Sequence, residues 1–575
     1  MSHSPVADVL VRTLIEAGAE RIYGVVGDSL NPITDAVRRS QGRLRWIHVR
    51  HEEAGAFAAS AEAQLSGRLA VCAGSCGPGH LHLINGLYDA HRSYAPVLAL
   101  VSHIPSEEIG TAYFQETHPE LLFRECSHFC EMASNPKQAP RLFRLAAQAA
   151  LSRGGVSAVV LPGDVAALET EDPLPPVFST TRPVVRPPDE SLEQLASLLN
   201  AASRVTVFCG SGCQGAHAEV MALARALQAP VGHAYRGKEW IAYDNPYDVG
   251  MTGLLGFGAA YEAMHACDVL LLLGTDFPYD AFMPVRPHIA QVDLRPEHLG
   301  RRSRLDLGVC GDVRETLRAL LPRLEQKEDR RHLETALETM VRAREKLDKH
   351  VREVGDHRPL HPEFVAALLD EVAAEDAVFT VDTGMCNAWS ARYLRASARR
   401  RIIGSFTHGS MANALPQAIG AQLLYPGRQV ISMSGDGGFA MLMGDFLTLA
   451  QYELPVKVVV FDNSSLGMVK LEMQVSGYPD TETDLVNPDF AKLAEAVGIL
   501  GIRVEAPGEV RGAFERALAH PGPALVDVVT DPHALSMPPR VTLKQAAGFA
   551  LAMTRLVLNG EGTEVKDTVD AQLHH

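Results

Sequence analysis

Short apolar runs alternate with longer amphipathic stretches along most of the chain. The runs are rich in Val, Leu and Ile and end at Gly, Pro or Ser, which is typical of buried strands in parallel sheets. The clearest of these runs are Arg21–Val26, Leu69–Ala73, Val97–Val101, Val156–Leu161, Val205–Cys209, Val269–Leu273, Ile289–Val292, Val378–Val381, Val430–Met433, Val456–Phe461 and Ala524–Val529. Helical stretches such as Val6–Ala17 separate them. The pattern predicts an α/β protein whose mostly parallel sheets are flanked by helices.

Two stretches of different composition divide this pattern into three blocks. Residues 173–188 are rich in proline and predict a linker. Residues 325–358 are densely charged, with apolar residues at helical spacing, and predict a solvated linker helix. We therefore expect three similar domains at residues 1–180, 181–335 and 336–530, followed by a short C-terminal segment at residues 531–575. The length of 575 residues agrees, because it exceeds what one hydrophobic core usually supports.

Composition and charge exclude several classes of protein. The net charge of -16 argues against a nucleic-acid partner, because phosphate binding needs clustered Lys and Arg. The 9 cysteines, an odd number in a long chain, predict buried free thiols rather than a disulfide framework. Residues 1–8 lack a signal-peptide pattern, and no apolar run reaches the about 20 residues that a membrane span needs. The expected location is the cytoplasm.

Polar turns follow two neighbouring strands of the third block. Val430–Met433 leads into Gly435–Gly438, and Val456–Phe461 ends at Asp462 and Asn463. Both turns lie at the carboxyl ends of parallel strands, where open α/β sheets bind ligands. Glycine lets backbone N–H groups approach phosphate oxygens, and oxygen ligands suit Mg²⁺. The turns therefore predict a diphosphate and magnesium site, with metal ligands at Asp436, Asn463 and the carbonyl of Ser465.

This pair of turns resembles the fingerprint of the thiamine-diphosphate enzyme family. Asp462 stands where the family commonly has a first asparagine, and we expect the change to be tolerated because the second position carries the metal. The resemblance implies a pyrimidine-binding, a central and a pyrophosphate-binding domain. It also implies that thiamine diphosphate contacts Glu52, Gly409, Ser410, Met411, Asp436, Gly437, Gly438, Asn463, Ser464, Ser465, Leu466, Gly467, Met468 and Val469.

The resemblance assigns Glu52 to activation of the cofactor, although a first-turn carboxylate is also favoured by the helix dipole alone. In the family this glutamate hydrogen-bonds the aminopyrimidine ring, whose imino nitrogen then takes the thiazolium proton and leaves an ylide. The Gly409 carbonyl would accept from the amino group, and Met411 would wedge the cofactor into a bent conformation. In the family Glu52 and Asp436 come from different subunits. This implies a homo-oligomer, at least a dimer and expected to be a tetramer.

Longer stretches narrow the resemblance within the family. Residues 73–79, 110–119, 248–257 and 405–416 resemble the flavin-dependent pyruvate oxidases, which are bacterial pyruvate dehydrogenases that reduce quinone. This implies FAD in the central domain, and the strand ends there suit a dinucleotide. The matching FAD positions are Thr252, Gly253, Leu254, Leu255, Thr275, Asp276, Phe277, Pro278, Tyr279, Asp293, Leu294, Arg295, Pro296, Glu297, His298, Gly311 and Asp312.

The implied activity is that of an oxidoreductase. Pyruvate would be oxidatively decarboxylated to acetate and CO₂ through the thiamine-diphosphate ylide, with electrons passed by FAD to a quinone. Phe114 and Gln115 match catalytic positions that face the reacting carbon, although Phe114 would also fit an ordinary core. Met468 stands where these enzymes carry a phenylalanine thought to assist electron transfer, and Met is polarizable but has no aromatic ring.

The C-terminal segment departs from this resemblance. In the quinone-reducing enzymes an amphipathic tail attaches the protein to lipid. Here Val565, Val569 and Leu573 form a narrow stripe, but the polar face is rich in Asp and the tail has no Trp, which suits an interfacial helix poorly. Peripheral contact with the inner face of the cell membrane therefore stays an alternative to a purely cytoplasmic location.

Two other interpretations stay open. An acetolactate-synthase-like carboligase would use the same thiamine-diphosphate residues and carry a non-redox FAD. A non-catalytic scaffold would be expected to have lost Glu52, Asp436 or Asn463, and all three are present.

Overall fold

The chain folds into three α/β units, each built around one sheet. The computed structural model describes residues 3–171, 177–179, 184–352, 356–534 and 551–553. Each sheet is parallel or mostly parallel and is flanked by helices, which confirms the predicted fold class. The exact domain boundaries stay predictions, as does the predicted linker, of which residues 173–176 and 180–183 lie outside the described residues.

The first unit contains a six-stranded parallel sheet of order β3-β2-β4-β5-β7-β6, and β1 pairs with β8 beside it. Its strands are β1 (His3–Pro5), β2 (Arg21–Gly24), β3 (Arg45–His48), β4 (Ala70–Gly74), β5 (Val97–His103), β6 (Phe129–Met132), β7 (Val156–Pro162) and β8 (Glu169–Glu171). Its helices are α1 (Val6–Glu16), α2 (Asn31–Arg39), α3 (Glu52–Ser66), α4 (Pro78–His82), α5 (Ile84–Arg92), α6 (Pro119–Leu122), α7 (Ala139–Arg153) and α8 (Gly163–Ala167).

The central unit contains a seven-stranded sheet of order β12-β11-β10-β9-β13-β14-β15, in which β12 alone pairs antiparallel. Its strands are β9 (Val205–Cys209), β10 (Val231–His233), β11 (Asp248–Met251), β12 (Phe257–Gly258), β13 (Val269–Leu273), β14 (His288–Asp293) and β15 (Leu307–Cys310). Its helices are α9 (Asp189–Ala201), α10 (His217–Leu227), α11 (Tyr235–Ile241), α12 (Ala260–Ala266) and α13 (Val313–Leu320), and α14 (Arg331–Arg352) leads to the third unit.

The third unit contains a six-stranded parallel sheet of order β17-β16-β18-β19-β21-β20. Its strands are β16 (Val378–Val381), β17 (Arg401–Gly404), β18 (Val430–Gly435), β19 (Lys457–Asp462), β20 (Leu500–Val504) and β21 (Ala524–Val529). Its helices are α15 (Pro362–Val372), α16 (Met385–Tyr393), α17 (Ala414–Leu424), α18 (Asp436–Met441), α19 (Phe446–Gln451), α20 (Gly467–Val475), α21 (Phe490–Ala496) and α22 (Pro507–Ala519).

The first and third sheets share one strand order. In each, the strands taken in chain sequence stand in the order second, first, third, fourth, sixth, fifth. The central sheet differs, because its first four strands run outward on one side and its last three on the other. The expected similarity of the three domains therefore extends to the strand order only for the first and third units.

The first and third units share a hydrophobic core through α3 and α17. Both helices are rich in alanine and buried over most of their length, so their backbones pack closely. Gly420 lies against the carbonyl of Ala58, and a β-carbon added at Gly420 would overlap with that carbonyl. The contact needs glycine because only hydrogen fits between the two helices.

The prediction that residues 325–358 form a solvated linker helix is wrong for α14. One face is charged, but Leu333 is fully buried and Leu337 and Met340 pack against the central core. At the other end, Arg344 donates to the Arg392 carbonyl at 2.9 Å. The helix therefore joins the central and third units rather than lying free in solvent.

The predictions about the cysteines and the membrane spans can be compared with the structure, whereas the prediction about the C-terminal tail cannot. All nine cysteines are free thiols, and only Cys310 is not buried. Among the residues that the structure describes, no helix is both long and apolar enough to cross a membrane. The tail residues Val565, Val569 and Leu573 lie outside the described residues.

Candidate active site

A pocket opens at the carboxyl edge of the third sheet. It has a volume of about 70 Å³ and is formed by the turns after β16, β18 and β19 together with the chain after β21. The residues that line it are Pro362, Thr383, Gly384, Met385, Cys386, Trp389, Met411, Gly435, Asp436, Gly437, Gly438, Phe461, Asn463, Ser465, Leu466, Gly467, Met468, Val469, Thr530, Asp531 and Ala534. The two polar turns that the sequence singled out thus face one cavity.

Asp436 is a buried carboxylate of this pocket, with 2% of its surface exposed. Its Oδ1 accepts from the Gly437 N–H at 2.9 Å, and its Oδ2 accepts from the Asn487 side chain at 2.7 Å. Burial raises the pKa of Asp436 to about 6, and the charge of Asp462 adds to this shift. A bound cation would relieve both effects, since it stabilises the ionised carboxylate.

The other predicted metal ligands lie on the second turn. The Asn463 Oδ1 accepts from the Ser465 N–H at 3.1 Å, which fixes the turn. The predicted ligand at Ser465 is its carbonyl; the Ser465 hydroxyl is a further buried oxygen, with no hydrogen-bond partner among the described residues. The turns therefore bring a carboxylate, an amide oxygen and an unsatisfied hydroxyl to one cavity, and this all-oxygen donor set fits Mg²⁺.

Asn487 is a site residue that the sequence analysis missed. Its Nδ2 donates to Asp436 Oδ2 at 2.7 Å and to Asp462 Oδ1 at 2.8 Å, so it bridges the two turns. The Leu485 N–H donates to the Ser464 carbonyl at 2.8 Å and ties this loop to the second turn. Asn487 belongs to no recognisable pattern, and only the fold reveals its role.

Met411 meets the glycine turn. A β-carbon at Gly437 would lie 3.4 Å from the Met411 Cε and 3.1 Å from a Leu466 methyl group. Gly409 has a φ of +77°, which favours glycine, and the Ser410 hydroxyl accepts from Asn85 of the first unit at 2.8 Å. Gly409, Ser410 and Ser464 do not line the pocket, while every other predicted thiamine-diphosphate residue of the third unit does.

Asp382 is a second residue that the sequence analysis missed. It directly follows β16 and is 1% exposed, and its Oδ1 accepts from the Thr383 N–H at 2.9 Å. Its Oδ2 lies against Gly438 and has no hydrogen-bond partner among the described residues. Burial raises the pKa of Asp382 to about 7, against the opposing effect of nearby backbone N–H groups. This carboxyl group therefore packs directly against the Gly435–Gly438 turn.

Glu52 lies in a separate cluster on the first unit and does not line the Asp436 pocket. It is the buried first residue of α3, and its Oε2 lies 2.9 Å from the His82 Nδ1. A β-carbon at Gly79 would lie 3.2 Å from the Glu52 Oε1, so the Ser75–Gly79 turn shields the other oxygen. The structure thus orients the carboxylate but places it away from the pocket of its own chain.

Gln115 lies against the Ser75–Gly79 turn that adjoins Glu52, and a β-carbon at Gly77 would lie 2.7 Å from the Gln115 Cβ. The Gln115 Oε1 accepts from the Cys76 Sγ at 3.3 Å, and Gln115 has a strained φ of +63°. Phe114 is 78% exposed, so the alternative that it is an ordinary core residue is wrong. The Phe114 side chain therefore lies at the surface of this single chain.

The predicted FAD residues gather at the carboxyl edge of the central sheet, where they follow β11, β13, β14 and β15. The Thr252 hydroxyl is buried and unpartnered among the described residues, and Gly253 has a φ of +101°. The segment 275–279 includes buried Thr275 and Phe277, and the segment 293–298 includes buried Asp293 and His298. An unsatisfied hydroxyl beside a glycine turn fits a dinucleotide, so these residues are compatible with FAD.

Several of the predicted FAD positions already have protein partners, among them Asp293, His298 and Asp312. The Asp293 Oδ1 accepts from the Arg295 N–H at 2.9 Å, and His298 lies 2.8 Å from the Tyr94 hydroxyl of the first unit. Asp312 caps α13 by accepting from the Glu315 N–H at 3.1 Å. These contacts fix the edge of the central sheet.

Helix α16 connects the central unit with the pocket. Its residues Cys386 and Trp389 line the pocket, and Ala391 packs in a cluster with Leu255 of the central unit. Leu255 and Met468 both pack against the hydrophobic core of the third unit. Burial and the negative charge of Glu472 on α20 raise the pKa of Tyr279, so this predicted FAD residue lies near the helix that carries Met468. The predicted thiamine-diphosphate site and the predicted FAD site are therefore adjacent within one chain.

Comparisons with known proteins agree with this architecture. Residues 5–121, 192–320 and 382–528 match the N-terminal TPP binding domain, the central domain and the C-terminal TPP binding domain of thiamine pyrophosphate enzymes, TPP being thiamine diphosphate. The chain is 36% identical to the Bacillus subtilis "Putative thiamine pyrophosphate-containing protein YdaP", with 96% of each chain covered.

Two further relatives have different activities in their names. The chain is 32% identical to the "Pyruvate oxidase" of Lactiplantibacillus plantarum, over 90% of this chain and 87% of the relative. It is also 32% identical to the "Probable acetolactate synthase large subunit" of Methanocaldococcus jannaschii, over 93% of each chain. Three matching domains and full-length relatives, together with the Asp436 pocket, show that this chain belongs to the thiamine-diphosphate-dependent enzyme family.

Proposed function

We propose that this enzyme oxidatively decarboxylates pyruvate and passes two electrons through FAD to a quinone. In the balanced reaction, pyruvate, water and quinone give acetate, CO₂ and quinol. The observation that carries the proposal is the meeting of the two predicted cofactor sites, since α16 contributes to the Asp436 pocket and contacts Leu255 of the predicted FAD edge. Residues of that edge would hold the flavin, which would supply two-electron redox chemistry next to the Asp436 pocket.

Thiamine diphosphate, when bound, supplies a carbon nucleophile and an electron sink for decarboxylation of a 2-keto acid. Asp436, Asn463 and Ser465 would hold its diphosphate through Mg²⁺. Met411 would support its bend, because the Met411 methyl group already approaches Gly437. The Glu52 carboxyl group would exchange a proton with the pyrimidine ring, while its bond with His82 keeps it oriented.

The separation of Glu52 from the Asp436 pocket supports a homo-oligomer with shared active sites. Apolar side chains are exposed near each half-site, as expected for surfaces that pair with a second copy. On the first unit they are Leu81, Tyr113, Phe114, Leu121 and Leu122, and on the third they are Met441, Met443, Leu447, Val469 and Val486. We propose a dimer in which Glu52 of each chain serves the pocket of the other, and a tetramer built from two such dimers.

In this arrangement Phe114 and Gln115 would line the partner's pocket and exclude water from the reacting carbon. Met468 lines the Asp436 pocket and would adjoin the bound thiamine diphosphate. Its thioether is polarizable but cannot replace an aromatic ring, so we expect electron transfer to depend less on this side chain than on cofactor spacing.

A second candidate function is carboligation of two pyruvates to acetolactate, which the 32% identical acetolactate synthase relative favours. Product analysis separates the two. The holoenzyme with pyruvate and a soluble quinone should give acetate in amounts equal to the quinone reduced. Acetolactate formed without quinone reduction would overturn the oxidase proposal and support the carboligase.

We further propose that quinone reduction takes place at the inner face of the cell membrane, with the segment after residue 534 as the contact. Flotation of the holoenzyme with liposomes, with and without pyruvate, tests this point. Flotation that increases with pyruvate supports a lipid-contacting tail. Equal absence of flotation in both samples would contradict membrane contact and leave a cytoplasmic enzyme.

A further inference from the structure

A cluster of metal-ligating side chains lies at the rim of the Asp436 pocket, apart from the predicted magnesium ligands. It consists of His357, His361 and Asp531, whose ligand atoms all lie within 4.8 Å of one another. The His357 Nε2 lies 3.3 Å from the Asp531 Oδ2, and the two imidazole rings stack with centroids 4.0 Å apart. Two imidazoles and one carboxylate form a ligand set that proteins use for zinc.

The backbone around this cluster is fixed by pairing of two distant segments. Leu360 and Thr530 form a parallel bridge, in which the Leu360 N–H donates to the Val529 carbonyl at 3.1 Å. The Asp531 N–H donates to the Leu360 carbonyl at 2.9 Å. The segment with both histidines therefore keeps its register with the segment that carries Asp531, and the cost of assembling the ligands is small.

Asp531 is also held in position by a local turn. Its Oδ1 accepts from the His533 N–H at 2.8 Å, which leaves its Oδ2 directed at His357. Asp531 is buried at 7% exposure, whereas the His357 side chain is 43% exposed. A buried carboxylate supplies a fixed anchor, and the exposed ring can turn from its stacked position to direct a nitrogen lone pair at an ion.

We propose that His357, His361 and Asp531 bind a divalent transition-metal ion of the Zn²⁺ class. Imidazole nitrogen suits zinc, whereas Mg²⁺ prefers oxygen, so this cluster and the Asp436 site would select different ions. Three protein ligands leave a position for water or for another ligand. The ion would tie His361, which precedes α15, to the chain after β21.

The consequence for the enzyme follows from what adjoins the cluster. Pro362, Thr530, Asp531 and Ala534 line the Asp436 pocket. An ion that joins the two segments would therefore stabilise one wall of the pocket without contacting the diphosphate turns. We expect the ion to raise the thermal stability of the enzyme rather than to take part in the reaction.

A second cluster has similar chemistry and provides an internal comparison. His51, Glu52 and His82 also have ligand atoms within 4.8 Å of one another. There, Glu52 is assigned to cofactor activation, and an ion on its carboxylate would block that role. We therefore assign zinc binding to the His357 cluster and expect the His51 cluster to stay free of metal in the holoenzyme.

The test is a calorimetric titration of the holoenzyme with Zn²⁺ in the presence of thiamine diphosphate and excess Mg²⁺, which keeps the magnesium site saturated. We expect one Zn²⁺ per chain and a higher melting temperature. His357→Ala and His361→Ala should each weaken binding by at least about tenfold. His288→Ala is the matched control. His288 is likewise an exposed histidine paired with an aspartate, Asp306, at 3.0 Å, but it belongs to β14 of the central unit.

Two results would overturn the assignment. Wild-type holoenzyme that takes up no Zn²⁺ would show that the histidines only stack. Zn²⁺ binding that survives His357→Ala and His361→Ala but is lost in His51→Ala would place the ion at the other cluster. His357→Ala changes an exposed side chain, so loss of binding with an unchanged melting temperature of the metal-free protein would exclude unfolding as the cause.

Discussion

The Asp382 carboxylate lies directly against Gly438, so that a β-carbon at position 438 would overlap with the Asp382 Oδ2. This contact joins the end of β16 to the turn that carries Asp436. Thr383 and Gly384, which follow Asp382, line the same pocket. Gly438 is therefore needed for close packing, in addition to any approach of its N–H group to a phosphate.

Gly438→Ala should weaken thiamine-diphosphate binding. The added methyl group must displace either the buried Asp382 carboxylate or the Asp436 turn, and such overpacking costs about 1–3 kcal/mol. Calorimetric titration with the cofactor in the presence of Mg²⁺ measures the loss. Gly444→Ala is the control, because a β-carbon there meets no atom within 4 Å. Equal cofactor affinity in both variants would contradict the role of the Asp382 contact.

The two aspartates of the polar turns should respond differently to the same substitution. Asp436→Asn removes the charge of a predicted metal ligand and should weaken Mg²⁺ binding by roughly 10-fold or more. Asp462→Asn should be tolerated, since the amide oxygen can still accept from Asn487. The Mg²⁺ dependence of cofactor binding measures both. Equal loss in the two variants would refute the assignment of the metal to Asp436.

Gly420→Ala should destabilise the packing of the first unit against the third. The new methyl group would overlap with the Ala58 carbonyl on α3, and separation of α3 from α17 would lose buried apolar contacts. We expect a loss of about 1–3 kcal/mol in the free energy of unfolding. Gly427→Ala should have little effect, because nothing lies within 4 Å of a β-carbon there. Denaturant unfolding of both variants tests the contact.

Lys238 should make stability depend on pH. It is buried between α11 and α16, where it donates to the Ser390 carbonyl at 3.3 Å. Burial lowers the pKa of Lys238 from 10.5 to about 7, with a smaller effect from Arg344. The unfolded chain binds this proton more tightly than the folded chain, so the free energy of unfolding decreases as the pH falls from about 10.5 to about 7.

The melting temperature should therefore rise between pH 7 and about pH 9 in the wild type and rise less in Lys238→Met. Lys346→Met, which removes an exposed lysine from α14, should keep the wild-type pH dependence. Parallel curves for the wild type and Lys238→Met would show that Lys238 is not the titrating group.

The strands and the two polar turns could be predicted because local sequence determines them. Val430–Met433 and Val456–Phe461 are apolar enough to be buried strands, and glycine with carboxylate or amide residues marks the turns after them. The strand β18 ends two residues later, at Gly435, and β19 runs from Lys457 to Asp462. Such shifts at strand ends are expected, because the boundaries depend on pairing with neighbouring strands.

Asn487, Asp382 and the packing of α14 could not be predicted in the same way. Asn487 reaches the site from a loop 24 residues after Asn463, and only the hydrogen bonds of that loop to the second turn bring it there. Asp382 contributes by supporting Gly438 from a third strand. The exposure of the Phe114 ring could not be predicted from one chain either, because the surface that we propose to cover it belongs to a second copy.

The most direct test of the account is the visible absorption of the flavin in the anaerobic holoenzyme before and after pyruvate is added. Pyruvate should bleach the flavin band of the wild type, and a quinone should restore it. Glu52→Gln should bleach at least about 100-fold more slowly, whereas Glu53→Gln, which can still accept from Asn85, should bleach normally. Two results would contradict the proposed function. One is a purified enzyme that contains no flavin. The other is a flavin band that pyruvate leaves unchanged while acetolactate forms.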